Sequence, residues 1–372
     1  MAIIFHLLYF VVLWLLVFVS YGFVDANSPF PRFGEIYRLV QFARVYPTAW
    51  YVGTLIVLFV YHRYLLGLAS EKKVSARFVW KIIFLTVLSL VCAFPAFSND
   101  IFNYIATAKV TFLYKENPYV VMPIDIRNEQ MLSFLHASNK VALYGPVWIA
   151  MTFIPYRLGF GNLLITLYAF KSLVAGFYLF LLWFLWKHSQ QKLTNLIWFA
   201  LNPLVILQTL VDGHNDVVMM FLALFAFDLL KRRRVLASAF IFVCSILIKG
   251  ATVALLPVFV WIVWQQARKN DIYWNAVWRW SAVSMFVIFL LSPLREELYP
   301  WYFIWPMTFL ALVPGPIVVL DGAYVLSLGL SLRIVPFLWT REWGGITPVV
   351  KKIVTVVPLF LSGSIYAILK KL

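Results

Sequence analysis

Four short polar stretches interrupt a chain that is otherwise almost continuously apolar. The first is FSNDIFNYIATAKVTFLYKENPYVV, residues 97–121, with Asp100 where an apolar run ends. The second is DGHND, residues 212–216, between two apolar runs. The third is Lys249-Gly250, and the fourth is LREELYPWYFIWP, residues 294–306, with Arg295 and the rings of Tyr299, Trp301 and Tyr302. A carboxylate can act as a general base on a hydroxyl. A Lys and an Arg can hold a phosphate. Aromatic rings can flank a sugar or the first isoprene units of a lipid. Each stretch also has a plain structural explanation. Asp100 can cap a helix, DGHND can be a tight turn, Lys249 can snorkel to headgroups, and the Tyr-Pro-Trp-Tyr run can be an aromatic belt.

The elements that must position these residues are membrane helices. Of 372 residues, 63% are hydrophobic and 12% charged, against about half and about a quarter in a soluble domain. The apolar runs are long and continuous, which favours helices over the alternating strands of a barrel. The expected fold class is therefore all-α, polytopic, with about 10–12 transmembrane helices. Residues 1–372 read as one domain, with extra N-terminal spans over 1–80, a motif-bearing core over 97–306 and an outer loop with interfacial helices over 100–144. Residues 2–19 lack a basic leader and read as a retained anchor helix. Cys92 and Cys244 lie inside apolar runs and have no metal-ligand spacing.

The net charge of +16 gathers in short loops: Lys72, Lys73, Arg77 and Lys81, then KRRR at 231–234, then Arg268, Lys269 and Arg279, then Lys370 and Lys371. Basic short loops mark the cytoplasmic side and attract anionic lipid. No basic-aromatic patch lies outside the spans, so nucleic acid is not an expected partner.

Topology follows from those loops. Spans are expected over 3–20 and 50–68, with an interfacial helix over 28–47 between them. A span over 81–97 leaves the basic side and puts Asp100 on the outer face. Ile101, Ile105, Ala108 and Phe112 share a helical face, as in a helix lying in the headgroup layer. Pro118 ends that helix, residues 125–140 read as a second short one with Asp125 as N-cap, and YGPVW at 144–148 re-enters the membrane. If 145–156 and 161–186 both cross, KHSQQK at 187–192 is external, against the charge rule; if the first only dips in, it is cytoplasmic. Spans over 194–211 and 217–230 flank DGHND, which is external because KRRR follows. Residues 235–264 are basic at both ends, so they form a hairpin with Lys249-Gly250 at its outer tip. All four polar stretches then decorate one face.

A base and a phosphate clamp at the bilayer edge suggest sugar transfer from a lipid phosphate. The phosphate leaves readily once its charge is matched, so no general acid is required, and no His/Cys cluster implies a metal. The stretches SNDIFNYIATAKVTFLYKENPY, YGPVW, LNPLVILQTLVDGHNDVVMMFLALFAFDLL, ILIKGATVALLP and LYPWYFIW, within residues 97–306, resemble those of integral-membrane glycosyltransferases of the C-type fold. Among these the chain is most similar to bacterial polyprenyl-phosphate-mannose-dependent alpha-mannosyltransferases. The resemblance implies that Asp100 is catalytic and that Lys249, with Arg295, contacts the donor phosphate. Tyr104, His214, Asn215, Asp216, Tyr299, Trp301 and Tyr302 are the expected sugar or acceptor contacts. Asn99 stands where some C-type relatives have a second acid, which favours a metal-independent reaction without cofactors. The expected reaction is inverting transfer of a sugar, mannose favoured, from a polyprenyl-phosphate donor to a hydroxyl of a glycan or glycolipid acceptor. It would occur on the extracytoplasmic side of the cell membrane, among membrane lipids. A transporter or flippase of lipid-linked sugars would show paired halves and broken midplane helices, and the sequence shows no repeat. A polymerase or ligase would need a large outer loop with several Arg residues; the longest loop here has Arg127 alone.

Overall fold

The structure is a computed structural model that describes residues 2–23, 44–127, 129, 132, 134, 135, 137–294, 297–313 and 317–369. The described residues form helices and no strand. The interfacial helix expected over 28–47 lies almost wholly outside them, and Arg295 lies outside them too. Helices α1 (Ala2–Ser20), α2 (Val45–Ser70) and α3 (Ala76–Val91) pack together at the N-terminal end of the chain. Tyr9 of α1 joins the three, stacking on Tyr61 of α2 and hydrogen-bonding Thr86 of α3 at 2.9 Å.

Helix α4 (Asp100–Phe112) is too short to span and is followed by a loop and α5 (Pro146–Leu158). Phe112 meets Phe153 and Tyr156, so α5 lies along α4 rather than crossing alone. The second short helix expected over 125–140 falls partly outside the described residues. Asp125 does not start it: its carboxylate accepts from the Met122 N–H at 2.9 Å and closes a 3-10 turn, Pro123–Asp125. Asn162 caps α6 (Leu163–His188), a full 26-residue span. Helix α7 (Lys192–Ala200) then breaks at Asn202-Pro203 before α8 (Pro203–Ile206) and a π turn, Leu207–Val211. Proline has no N–H and drives the residue before it out of the helical region. Asn202 is accordingly extended and caps α8, and the two halves are bent by 53°.

Helix α9 (Asp216–Lys231) is buried around nearly its whole circumference, as expected of a helix apolar on every side. Against it lies a hairpin of α10 (Val235–Lys249), a 3-10 segment Ala251–Leu255 and α11 (Leu256–Ala267). Gly250 turns the chain at φ +83°, a conformation glycine adopts without strain. Gln266 donates to the Leu230 carbonyl at 2.6 Å, so the hairpin returns to the end where α9 stops. Helix α12 (Trp274–Leu291), the aromatic run, α13 (Ile304–Leu310), α14 (Ile317–Ser331), α15 (Val335–Thr340) and α16 (Thr347–Leu369) complete the bundle.

Five described helices are long and apolar enough to cross a membrane, six if the bent pair counts as one. The expectation of about 10–12 also includes shorter apolar helices, among them α3, α9 and the α10–α11 hairpin; a 15-residue helix alone reaches about 22 Å of the ~30 Å hydrocarbon layer. Polarity is segregated by end. Trp80 meets Trp186, Lys187 and His188 meet Asp228 near KRRR, and Lys231 lies over Trp274. The described basic loops thus share one end, including the 187–192 segment whose side the sequence left open.

Candidate active site

At the opposite end α4, the loop before α5, the hairpin tip, the last turn of α12 and the aromatic run surround a cavity of about 510 Å³. Asp100 stands on its wall. Asn99 rather than Asp100 holds the N-cap position of α4, so the carboxylate lies in the first turn, where the helix dipole favours a negative charge. His214 Nδ1 approaches Asp100 Oδ2 at 3.4 Å, a close contact without an aligned hydrogen bond. Burial alone would raise the Asp100 carboxyl. The contact with His214, its charge and the charge of Lys249 outweigh burial and hold the group below its ordinary value. The His214 ring stacks on Trp301 at 3.9 Å, and Trp301 stacks on Tyr299 at 4.5 Å.

Lys249 forms the other pole. It has no acid beside it in the sequence, and an external anion was the expected partner. The fold supplies one from α9: Lys249 Nζ lies 3.0 and 3.3 Å from the two Asp216 oxygens. Trp305 Nε1 donates to Asp216 Oδ1 at 2.6 Å. Lys249 also faces the rings of Tyr302 and Trp301, 5.0 and 5.9 Å from their centroids. It lines the cavity, whereas Asp216 is fully buried behind it.

The expected site residues therefore divide into two layers. Asp100, Lys249, Tyr299, Trp301 and Tyr302 line the cavity. Tyr104, His214, Asn215 and Asp216 are fully buried and stand behind the wall. The Tyr104 hydroxyl accepts from the Asn215 N–H at 3.3 Å, which ties α4 to the DGHND turn. The cavity also takes Asn103, Tyr144 and Trp305, which sequence reasoning did not single out. Trp305 had a signal: it follows Trp301 by four residues and so shares its helical face.

The remaining motif residues hold this arrangement. Asp212 Oδ1 accepts from the Phe97 N–H at 2.9 Å, three residues before Asp100. Lys171 of α6 donates to the carbonyls of Leu90 and Ala93 at the start of the same loop. Gly213 has φ +75°, and a Cβ there would lie 2.7 Å from Ile101 Cδ1. The YGPVW stretch contributes Gly145, whose N–H donates to the Ile248 carbonyl at 2.9 Å, one residue before Lys249. Tyr119 of the Asn-Pro-Tyr turn donates to the Tyr144 carbonyl at 2.9 Å. Among the described residues, no three His, Cys, Asp or Glu side chains gather in a way that could hold a metal ion.

The family model of the alpha-(1->6)-mannopyranosyltransferase N-terminal domain matches residues 9–265. That stretch contains Asp100, the DGHND turn and Lys249. No curated protein and no solved structure matches the chain.

Proposed function

The chain belongs to the alpha-(1->6)-mannopyranosyltransferase family and is a multi-pass membrane mannosyltransferase, and from that premise we propose a polyprenyl-phosphate mannose donor and a metal-independent, inverting transfer. The observation that carries the reading is the pairing of Asp100 and Lys249 on the wall of one cavity. An acceptor hydroxyl attacks the anomeric carbon from the face opposite the phosphate. Its proton passes to the Asp100 carboxylate. The bond from the anomeric carbon to the phosphate oxygen breaks, and its electron pair leaves with the phosphate, whose charge Lys249 stabilises. The acceptor is a glycan or glycolipid. The gathering of basic loops at the far end supports an extracytoplasmic site in the cell membrane. The bent α7–α8 pair is a feature transporters share, but the break at Asn202-Pro203 is not on the cavity wall, which favours transfer over transport.

Asp100→Asn keeps the shape of the side chain but cannot take a proton. Purified in lipid and given a short-chain polyprenyl-phosphate mannose, it should lose about 10²-fold or more in turnover with unfolding unchanged. Turnover close to wild type would remove Asp100 from the mechanism.

A further inference from the structure

The stacked Tyr299–Trp301 pair is shared between two chambers. Behind it, away from Asp100, lies a second recess of about 120 Å³. Its other walls come from Gln208 in the π turn, Ser331 at the end of α14, Arg333, Trp343 and Lys351. Three residues of its lining carry a buried polar atom without a partner: Gln208 Oε1, Trp301 Nε1 and Arg333 Nε. Buried polar atoms are almost always paired, and unpaired ones at a recess call for a ligand or water. The charges, by contrast, are largely matched. Arg333 and Lys351 both hold Glu297 Oε1, at 2.5 and 2.6 Å, and Arg333 also donates to Thr355 at 2.9 Å. Trp343 stands half-exposed at the recess, stacked on Phe337 at 3.9 Å, with Lys351 over its ring at 5.2 Å. One acceptor, two donors, the half-exposed edge of an aromatic ring and matched charges suit a neutral, hydroxyl-rich ring rather than a phosphate.

We propose that this recess is an acceptor subsite, binding the sugar ring next to the one that receives mannose. The inference rests on the reading that transfer occurs in the Asp100 chamber. The shared Tyr299–Trp301 pair then puts the two rings of an acceptor side by side. The subsite is built largely outside the family-matched stretch, since Tyr299, Trp301, Ser331, Arg333, Trp343 and Lys351 all lie beyond residue 265.

The test compares two acceptors, an alkyl mannoside and an alkyl α-(1→6)-mannobioside, on the full chain in lipid nanodiscs. The variants are Gln208→Leu, which removes the unpaired carbonyl, and Trp343→Ala, which removes a half-exposed ring stacked on Phe337. Wild type should prefer the two-ring acceptor, with KM lower by about tenfold for one good hydrogen bond or stacking contact. Each variant should raise the two-ring KM towards the one-ring value and leave one-ring kcat and KM unchanged. Equal losses on both acceptors, or no change on either, overturn the subsite. Mannobiose binding is also measured by calorimetry without donor, so a wrong donor is distinguishable from a wrong subsite. Binding that is weakened about tenfold in both variants supports the subsite even if no transfer is seen; binding unchanged in both overturns it.

Discussion

Helix α9 carries a buried aspartate near each end, and the two have opposite surroundings. Asp228, 3% exposed, meets three basic side chains: His188 and Arg232 at 2.8 Å and Lys187 at 3.4 Å. They close around it and fasten α6 to α9. Asp216, 0% exposed, meets a single cation, Lys249, and the N–H of Trp305. An ammonium has three donors, and Asp216 engages it through both oxygens while the cavity borders it on another side. The same residue type thus makes a closed structural tie at one end and an open, anion-accepting pair at the other. The difference lies in what closes around the acid, not in the acid: Lys187 and His188 of α6 and Arg232 one turn on surround Asp228, whereas Lys249 alone faces Asp216.

Lys249→Ala should break this comparison most severely. It leaves Asp216 buried without a counter-charge, held by Trp305 alone, at about 3–5 kcal/mol of stability, and should slow transfer by about 10²-fold or more. The double variant Lys249→Met, Asp216→Asn separates the two effects. Thermal unfolding should recover most of the loss while transfer stays low; transfer at the wild-type rate would make the pair a structural tie like the one at Asp228. Gly145→Ala disturbs the open end by position alone. A Cβ there would lie 2.1 Å from the Leu247 carbonyl oxygen, so the last turn of α10 must move. About 1–3 kcal/mol of destabilisation is expected, with a fall in kcat measurable on the folded fraction. Asp228→Asn should cost about 2 kcal/mol and leave kcat and KM of the folded enzyme unaltered; a changed KM would show that the far end communicates with the cavity. Arg232→Ala, at a side chain 52% exposed, should stay under about 1 kcal/mol.

Much of the open end was legible in the sequence. Basic residues at both ends of 235–264 require a hairpin, and Gly250 marks its turn. Asp100 could be placed at a helix mouth because an apolar run stops there. The partner of Lys249 was not legible, because Asp216 is 33 residues away and only the packing of α9 on α10 brings them together. Nor could sequence separate Asp216 from the cavity wall: in DGHND each step turns the side chain in a new direction, and the turn places His214, Asn215 and Asp216 inward. The second recess left the faintest trace. Tyr51, Ser331 and Trp343 sit in segments that read as merely apolar or aromatic, and their convergence depends on α14–α16 folding back beside α2. Helices of 12–16 residues such as α3, α9 and α10 are apolar and run between the basic end and the cavity end, yet fall short of the length of a full span.

The hairpin at Gly250 also constrains how the chain is made. Neither α10 nor α11, of 15 and 12 residues, can cross alone, so the two enter the bilayer together with Lys249 at the leading tip. An ammonium entering hydrocarbon is unfavourable until it meets its counterion, and Asp216 precedes it in synthesis. The ribosome therefore delivers the acid first and the base second, into a groove where its partner is already waiting. Exchanging the two charges, Asp216→Lys with Lys249→Asp, preserves the final pair but reverses the order of arrival. The exchanged chain should reach the membrane in lower yield than wild type, read by quantitative blotting of the membrane fraction; equal yields would show that the order of arrival is immaterial.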